Sequence, residues 1–360
     1  MTAIRSLSTG LLRFAGILFY YLGLAKFVIR LRRTVPRVVA YHASEPTEGS
    51  FTRGLECNTA PALLAKHLAF FSAHYQVVPL ASIVTGAPDR ALAITFDDAY
   101  RSVYQYALPI LREYQSPATV FVVTDAIDKD ELIWVNELTW LLNTGGEKAR
   151  RAAATILGAN VEATIGIIVE HARERCAMNG CRDLLDAVSQ AAGVRPPPGN
   201  SRLYLSWHEA AEMSRAGIAF GNHTATHPDL ATLDVVAQQE DIIRASLSLE
   251  ANLPTHARIS ALAYPFGACG ANTPEAVASC GIRVMLTIGG SNQLGKSLHL
   301  SRTPVGRASV ARLFADLEIV EPAKASLRHV FSRRVRNPRM RPGRWHSATS
   351  EPHVPGAPQV

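Results

Sequence analysis

Seven short apolar runs, at residues 37–41, 77–80, 91–96, 118–123, 218–221, 259–264 and 282–288, are separated by stretches that favour helix. This alternation constrains the fold more than any other feature, because parallel strands cannot be joined by tight turns and need helical crossovers. The expected architecture is α/β, an incomplete, distorted (β/α) barrel. A helix is expected from Pro61 with Asn58 or Thr59 as its cap, another over Ser102–Tyr114 despite Pro109, and a third opened by Ser206 and Glu209 as a capping box. Residues of about 129–200 interrupt the rhythm. They are Ala-rich, contain Trp134 and Trp140, end in three prolines at 196–198, and read as a helical insertion whose tryptophans serve as core or as aromatic substrate contacts.

In barrels of this kind chemistry gathers where strands end. The run 91–96 ends in Asp97 and Asp98, and the run 218–221 leads into Asn222-His223-Thr224-Ala225-Thr226-His227. One carboxylate and two imidazoles with open positions form a common ligand set for a divalent metal that must also bind water and substrate. The second carboxylate is then free to act as a base. His42 and Tyr264 also fall at strand ends.

Composition sets outer limits. With 360 residues and 48% hydrophobic side chains, the body is long and apolar enough to build a large core, which excludes a disordered chain. The net charge of +7 is uneven: residues 1–37 carry seven Lys or Arg and no acid, and residues 324–360 carry eight against the single Glu351. Positive charge thus flanks an acidic body, and no nucleic-acid partner is expected. The expected organisation is an apolar, basic segment over 1–35, a barrel with its insertion over 36–320, and a basic, disordered tail over 321–360. Phe14–Ala25, the uncharged part of the first segment, is shorter than the ~20 residues a spanning helix needs. The segment therefore reads as a packing helix or as one making peripheral contact with a membrane. If it spans, the cluster Lys26, Arg30, Arg32, Arg33 and Arg37 would hold the body in the cytoplasm, so the expected location is the cytoplasm or the cytoplasmic face of the membrane, with an extracytoplasmic anchored form as the alternative. Five cysteines, Cys57, Cys176, Cys181, Cys269 and Cys280, match no zinc-ribbon spacing and are expected as free thiols.

The motifs also carry a resemblance. Thr95-Phe96-Asp97-Asp98-Ala99-Tyr100 is similar to the TFDDG signature of the polysaccharide deacetylases, carbohydrate esterase family four, and His223–His227 fits their second signature. Leu205-Ser206-Trp207 and Ala261–Gly267 follow in the order that family shows. The resemblance implies removal of N-acetyl groups from an N-acetylated glycan, a polysaccharide, oligosaccharide or precursor. It implies a metal, zinc first and otherwise cobalt, nickel or manganese, held by Asp98, His223 and His227, with Asp97 as base. It further implies an oxyanion site at Tyr264, Pro265, Phe266 and Gly267, and a histidine acid, for which His42 and His299 compete with His42 preferred. Two departures stand out: Ala263 occupies a position where many members have the arginine that orients the base, and Ala99 replaces a glycine. They keep open a catalytically idle carbohydrate-binding or assembly protein; the basic, apolar N-terminus suggests a deacylase of lipid-linked sugar.

Overall fold

The computed structural model describes residues 2–175, 178–199, 201–289, 292 and 299–326. Two helices come first, α1 (Thr2–Tyr21) and α2 (Ala25–Leu31). The alternating part then begins with β1 (Arg37–Tyr41), α3 (Pro61–His74), β2 (Gln76–Val77), α4 (Leu80–Gly86), β3 (Ala91–Phe96), α5 (Leu108–Glu113), β4 (Ala118–Val122) and α6 (Thr124–Asp128). Four helices of the insertion follow: α7 (Trp134–Thr144), α8 (Gly146–Leu157), α9 (Ile165–Arg175) and α10 (Met178–Ala192). The rhythm resumes with α11 (Trp207–Arg215), β5 (Ala219–Asn222), α12 (Val235–Asn252), β6 (Arg258–Ala263), α13 (Thr273–Ser279), β7 (Val284–Ile288), β8 (His299–Pro304) and α14 (Val310–Ala315).

All pairings within the sheet are parallel, and β1 bonds to β3 on one side and β8 on the other. The strands β1 and β3 to β8 therefore close into a seven-membered barrel, while β2 adds two residues beside the start of β3. Side chains alternate across each strand. Val38, Ala91, Ala93, Phe121, Ala261, Ala263, Leu286 and Leu300 pack together as the lining, and Val39, Tyr41, Leu92, Ile94, Phe96, Val120, Val122 and Phe220 pack outward against helices. The lining is narrow. At Gly221 a Cβ would lie 2.5 Å from the Phe121 ring, so glycine there is required by Phe121 filling the barrel.

Local chemistry explains where expected elements shift. Asn58 and Thr59 do not cap α3, whose N-cap is Ala60, because both side chains tie loops together: Asn58 bonds twice to the Glu45 backbone and Thr59 donates to the Gly306 carbonyl. Of the run 77–80 only Val77 lies in a strand, as the second residue of β2, since Pro79 caps the start of α4. Val103–Ala107 forms a π-helical turn before α5, in the stretch where Pro109 has no N–H to offer the preceding turn. The capping box forms as expected, with Ser206 and Glu209 each bonded to the other's backbone N–H.

The insertion has its own apolar core, built from Leu138, Leu141, Leu142, Ile168, Leu184 and Val188 among others. Helix α1 packs on α14: a Cβ at Gly16 would sit 2.6 Å from that of Ala315, Arg13 pairs with Asp316 at 2.8 Å, and Tyr20 meets Phe70 and Phe314. Residues 321–326 are helical; the disorder expected of the tail beyond 326 falls outside the described residues. Cys57, Cys269 and Cys280 are free thiols, and Cys176 lies outside the described residues.

One buried group makes the fold acid-sensitive. His67 on α3 sits between the Tyr41 hydroxyl, 3.1 Å from Nδ1, and the Ala308 carbonyl, 2.8 Å from Nε2. Burial pushes its imidazole down to about 4, against a weaker upward pull from that carbonyl. Between its ordinary value and this one the unfolded chain takes up a proton that the folded chain refuses. Stability is therefore complete above about pH 6.5 and is lost as pH falls towards 4, by roughly 3 kcal/mol from this residue. Urea unfolding at pH 7 and pH 5 should show a fall that is smaller in His67→Gln; an equal fall in both proteins would remove His67 as its cause.

Candidate active site

Alternation along the barrel strands delivers the site. Inward positions of β1, β3 and β5 extend past the strand ends to His42, Asp97 and His223, held there as Asp97 donates its N–H to Tyr41 and His223 to Val122. Asp98 has the opposite parity, but it and Ala99 adopt left-handed backbone, with φ of 66° and 55°, which turns the chain out of the strand. Pairing of Tyr100 with Tyr204 and the bond from Leu205 N–H to the Ala99 carbonyl fix that turn. This conformation explains why glycine suits position 99; alanine holds it at a cost of about 1 kcal/mol.

The loop carrying the two histidines is equally constrained. Thr224 and His227 both have positive φ, 68° and 59°, and the Thr224 hydroxyl accepts from the His227 N–H at 3.0 Å. Asp241, buried on α12, accepts from the N–H of Ala225 at 2.7 Å and of Thr226 at 3.2 Å, and from the Thr226 hydroxyl at 2.8 Å. His223 Nδ1 donates to the Ala263 carbonyl at 2.7 Å, which leaves Nε2 with its lone pair aimed into the site.

Asp98, His223 and His227 fit a divalent cation. Asp98 Oδ1 faces His223 Nε2 at 3.3 Å and His227 Nε2 at 3.4 Å, and the three atoms lie within 4.8 Å of one another. Oδ1 is buried and makes no hydrogen bond. Among the described residues no other group of His, Cys, Asp and Glu is so arranged. Protonation states suit the role: burial would raise the Asp98 carboxyl, but the surrounding imidazoles of His223, His227 and His42 carry it well below the carboxylate range. Burial pushes His227 down to about 4, opposed by Asp98, so it is neutral and able to ligate. His223 is the exception: burial lowers it, while Asp97 and Asp98 lift it above its ordinary value.

Asp97 belongs to a different pair. Arg302 on β8 grips it with two parallel bonds, Nη1 to Oδ1 at 2.6 Å and Nη2 to Oδ2 at 2.8 Å, and both side chains are buried. Burial alone would raise the Asp97 carboxyl; Arg302 first, then His223 and His42, bring it below its usual range. His42 Nε2 lies 3.9 Å from Asp97 Oδ2, and its side chain is 30% exposed, so it reaches both the carboxylate and the outside. His299 is not brought here. It is the first residue of β8, exposed, and opposite Met285 near the start of β7, at the far end of the barrel.

The Tyr264–Gly267 turn closes one side. Phe266 has a φ of 58° and its ring meets that of His227 edge-on at 4.8 Å. Gly267 has a φ of 67°, and a Cβ there would lie 2.6 Å from Ile288, so only glycine brings the turn this close. Tyr264 is fully buried beneath it, next to Pro265. The insertion also contributes. Trp134 donates from its indole to the His227 carbonyl at 3.2 Å and packs on Phe266, whose ring also meets the Arg173 guanidinium, 5.3 Å from its centroid. Trp140 instead stacks on Phe51, away from this cluster.

Sequence reasoning does not assign three contributors: Arg302, Asp241 and Trp134 in its role at His227. Arg302 has one retrospective signal. An arginine two positions after Leu300 in a strand shares its inward face, and a charge inside a narrow barrel needs a partner. It holds Asp97 by two bonds, which the side chain of Ala263 cannot do.

Comparison with known proteins bears on the fold and on the family. Curated relatives include poly-β-1,6-N-acetyl-D-glucosamine N-deacetylases of Staphylococcus aureus strains MSSA476 and MRSA252, each 35% identical over 63 residues, 16% of this chain and 22% of the relative. The match thus spans about a fifth of those relatives. Among solved structures, a Streptococcus pyogenes deacetylase, PplD, in complex with acetate aligns with a TM-score of 0.54 at 18% identity, covering 79% of this chain and 98% of that one. A de-N-acetylase from Aggregatibacter actinomycetemcomitans aligns with a TM-score of 0.50 at 16% identity, covering 74% and 93%. At such identities the likeness shows the fold. The sequence model of the polysaccharide deacetylase family matches residues 85–285, more than half of the 360, and spans both Asp97-Asp98 and His223–His227. The chain belongs to the polysaccharide deacetylase family.

Proposed function

We propose that this protein is a metal-dependent hydrolase that removes N-acetyl groups from an N-acetylated glycan. The observation that carries the reading is the meeting, in one buried cluster, of the Asp98, His223 and His227 ligand set with an Asp97 locked by Arg302. A divalent ion held by that set, zinc first and otherwise cobalt, nickel or manganese, would polarise the acetyl carbonyl and make an attacking water easier to deprotonate.

The protein's own groups do the rest. Asp97 is kept ionised and aimed by Arg302, and takes the proton of the attacking water. The turn at Tyr264–Gly267, pinned by Pro265 and Gly267, sets the backbone around Phe266 where negative charge develops on the carbonyl oxygen. His42, within reach of Asp97 and open to the outside, gives a proton to the departing amine. Phe266 and Trp134 form an aromatic rim suited to a sugar ring. The names of the staphylococcal relatives favour a polymer of N-acetylglucosamine as the substrate class.

The proton donor has its own test. His42→Ala should lower turnover of an N-acetyl sugar by ~10²-fold or more with metal content unchanged. On an aryl acetate ester, whose leaving group needs no proton, the loss should be much smaller; equal losses on both substrates would show that His42 is not the acid. The substrate reading is tested by free-amine release from polymeric, oligomeric and lipid-linked N-acetylglucosamine. Release is expected from polymer and oligomer, and release from none of them would favour an idle carbohydrate-binding protein.

A further inference from the structure

At the opposite end of the barrel from this site, the first two helices present a surface that the deacetylase reading leaves unused. On α1 the exposed residues Leu11, Phe14, Leu18 and Tyr21 recur at helical spacing, with exposures of 71%, 66%, 46% and 75%. A helix docked on a soluble domain places polar residues on that face. Leu22, Phe27 and Leu31 continue the pattern at 62%, 62% and 69% exposed. This is too much neighbouring apolar surface to be the ordinary scatter of single exposed hydrophobics.

The inner face of α1 is already engaged. Arg13 is paired to Asp316, Gly16 is pressed on Ala315, and Tyr20 packs between Phe70 and Phe314. Among the described residues no single helix is long and apolar enough to cross a membrane; Ser8–Tyr21 and Ala25–Leu31 meet that length and composition only together, and are bent by 114°. A span would strip α1 of these contacts, whereas a surface that receives only its outer face would not.

Charge identifies what that surface is. Beside the apolar residues, α2 carries Lys26 and Arg30 four residues apart, and with Phe27, Arg33, His74 and Arg90 they line a cavity of about 590 Å³. Arg33 pairs with Asp89, the one acid in the lining. Among the described residues no carboxylate pairs with Lys26, Arg30 or Arg90. The first 37 residues contain no acid at all. Exposed apolar side chains next to unpaired cations match a bilayer surface with anionic phosphate headgroups.

We propose that α1 and α2 dock the protein peripherally on an anionic phospholipid surface, the outer apolar side chains entering the headgroup boundary and the cavity of Lys26, Arg30 and Arg90 receiving a lipid phosphate. The barrel sets the orientation. Helix α2 leads into β1, and Arg90 precedes β3, so the cavity lies at the start of the strands, while His42 and Asp97 follow their ends. Five to six residues of strand, roughly 16–20 Å, separate the two. The catalytic mouth thus opens away from the lipid, towards glycan in water rather than towards a lipid-linked sugar in the same membrane. Docking is independent of turnover, so failure of one does not entail failure of the other.

The test is flotation of the purified full chain with vesicles of phosphatidylcholine alone or mixed with phosphatidylglycerol. The chain should float with the mixed vesicles and stay behind with the neutral ones. Lys26→Glu/Arg30→Glu, which leaves the basic residues beyond 326 in place, should weaken that binding by about tenfold or more. Phe14→Ser/Phe27→Ser should weaken it comparably, with thermal unfolding midpoints of both variants unchanged. Absence of flotation with either vesicle, or variants that float as well as the parent, would overturn the proposal. So would a dimer in solution that Phe14→Ser/Phe27→Ser dissociates, since a second copy would then cover the face.

Discussion

Asp98→Ala and His223→Ala are each expected to abolish tight binding of a divalent metal and to lower acetate release by ~10³-fold or more. The expected magnitude follows from losing several kcal/mol of charge stabilisation on the reacting carbonyl, each 1.36 kcal/mol being tenfold in rate. Both residues are buried, and the neighbouring carboxylate of Asp97 is held by Arg302, so it is not free to replace the missing ligand atom. Asp97→Asn separates the roles. Its carboxylate is bonded to Arg302 and stands 4.0 Å from His223 Nε2, so the amide should keep the metal while turnover falls by ~10²-fold or more. Metal content by atomic absorption, measured beside acetate release, distinguishes the two outcomes. Loss of metal in Asp97→Asn would place that residue among the ligands instead.

Arg302→Met should cost about 3–5 kcal/mol of stability, because it leaves the Asp97 charge buried without its partner. Arg302 is fully buried and Asp97 nearly so, and the replacement removes both parallel bonds at once. In the proposed mechanism Arg302 acts only by holding Asp97. The variant should therefore keep its metal and its KM while kcat falls. Pairing it with Asp97→Asn should recover much of the lost stability, since no unpartnered charge remains, but none of the activity. Urea unfolding of the two single variants and the double variant measures the coupling. Losses that simply add would show that Asp97 and Arg302 do not act as a pair.

Much of this was legible from residues close in sequence. Strand runs at 37–41 and 91–96 coincide with β1 and β3, the Ser206 capping box forms, and Asp97-Asp98 and His223–His227 meet at strand ends. Each rests on local periodicity or on a motif a few residues long. Arg302 is different. It meets Asp97 across 205 positions and only because β8 closes on β1, so its inward place on a strand does not name its partner. His299, by contrast, was a local likeness: three residues from Arg302 along one strand, it starts β8 at the far end of the barrel while Arg302 reaches in to the site. Asn58 and Thr59 failed as caps for the same reason, their side chains being drawn into bonds with the distant Gly306 and with Glu45. Left-handed backbone at Asp98 and Ala99 was hidden because alanine gives no sign of a conformation glycine would have announced.

The most direct measurement is acetate release from poly-N-acetylglucosamine by the chelator-treated protein, before and after stoichiometric zinc is returned. The metal-dependent reading predicts no release before the addition and full recovery after it, with none recovered in Asp98→Ala. Release that survives the chelator, or that zinc restores equally in Asp98→Ala, would contradict it.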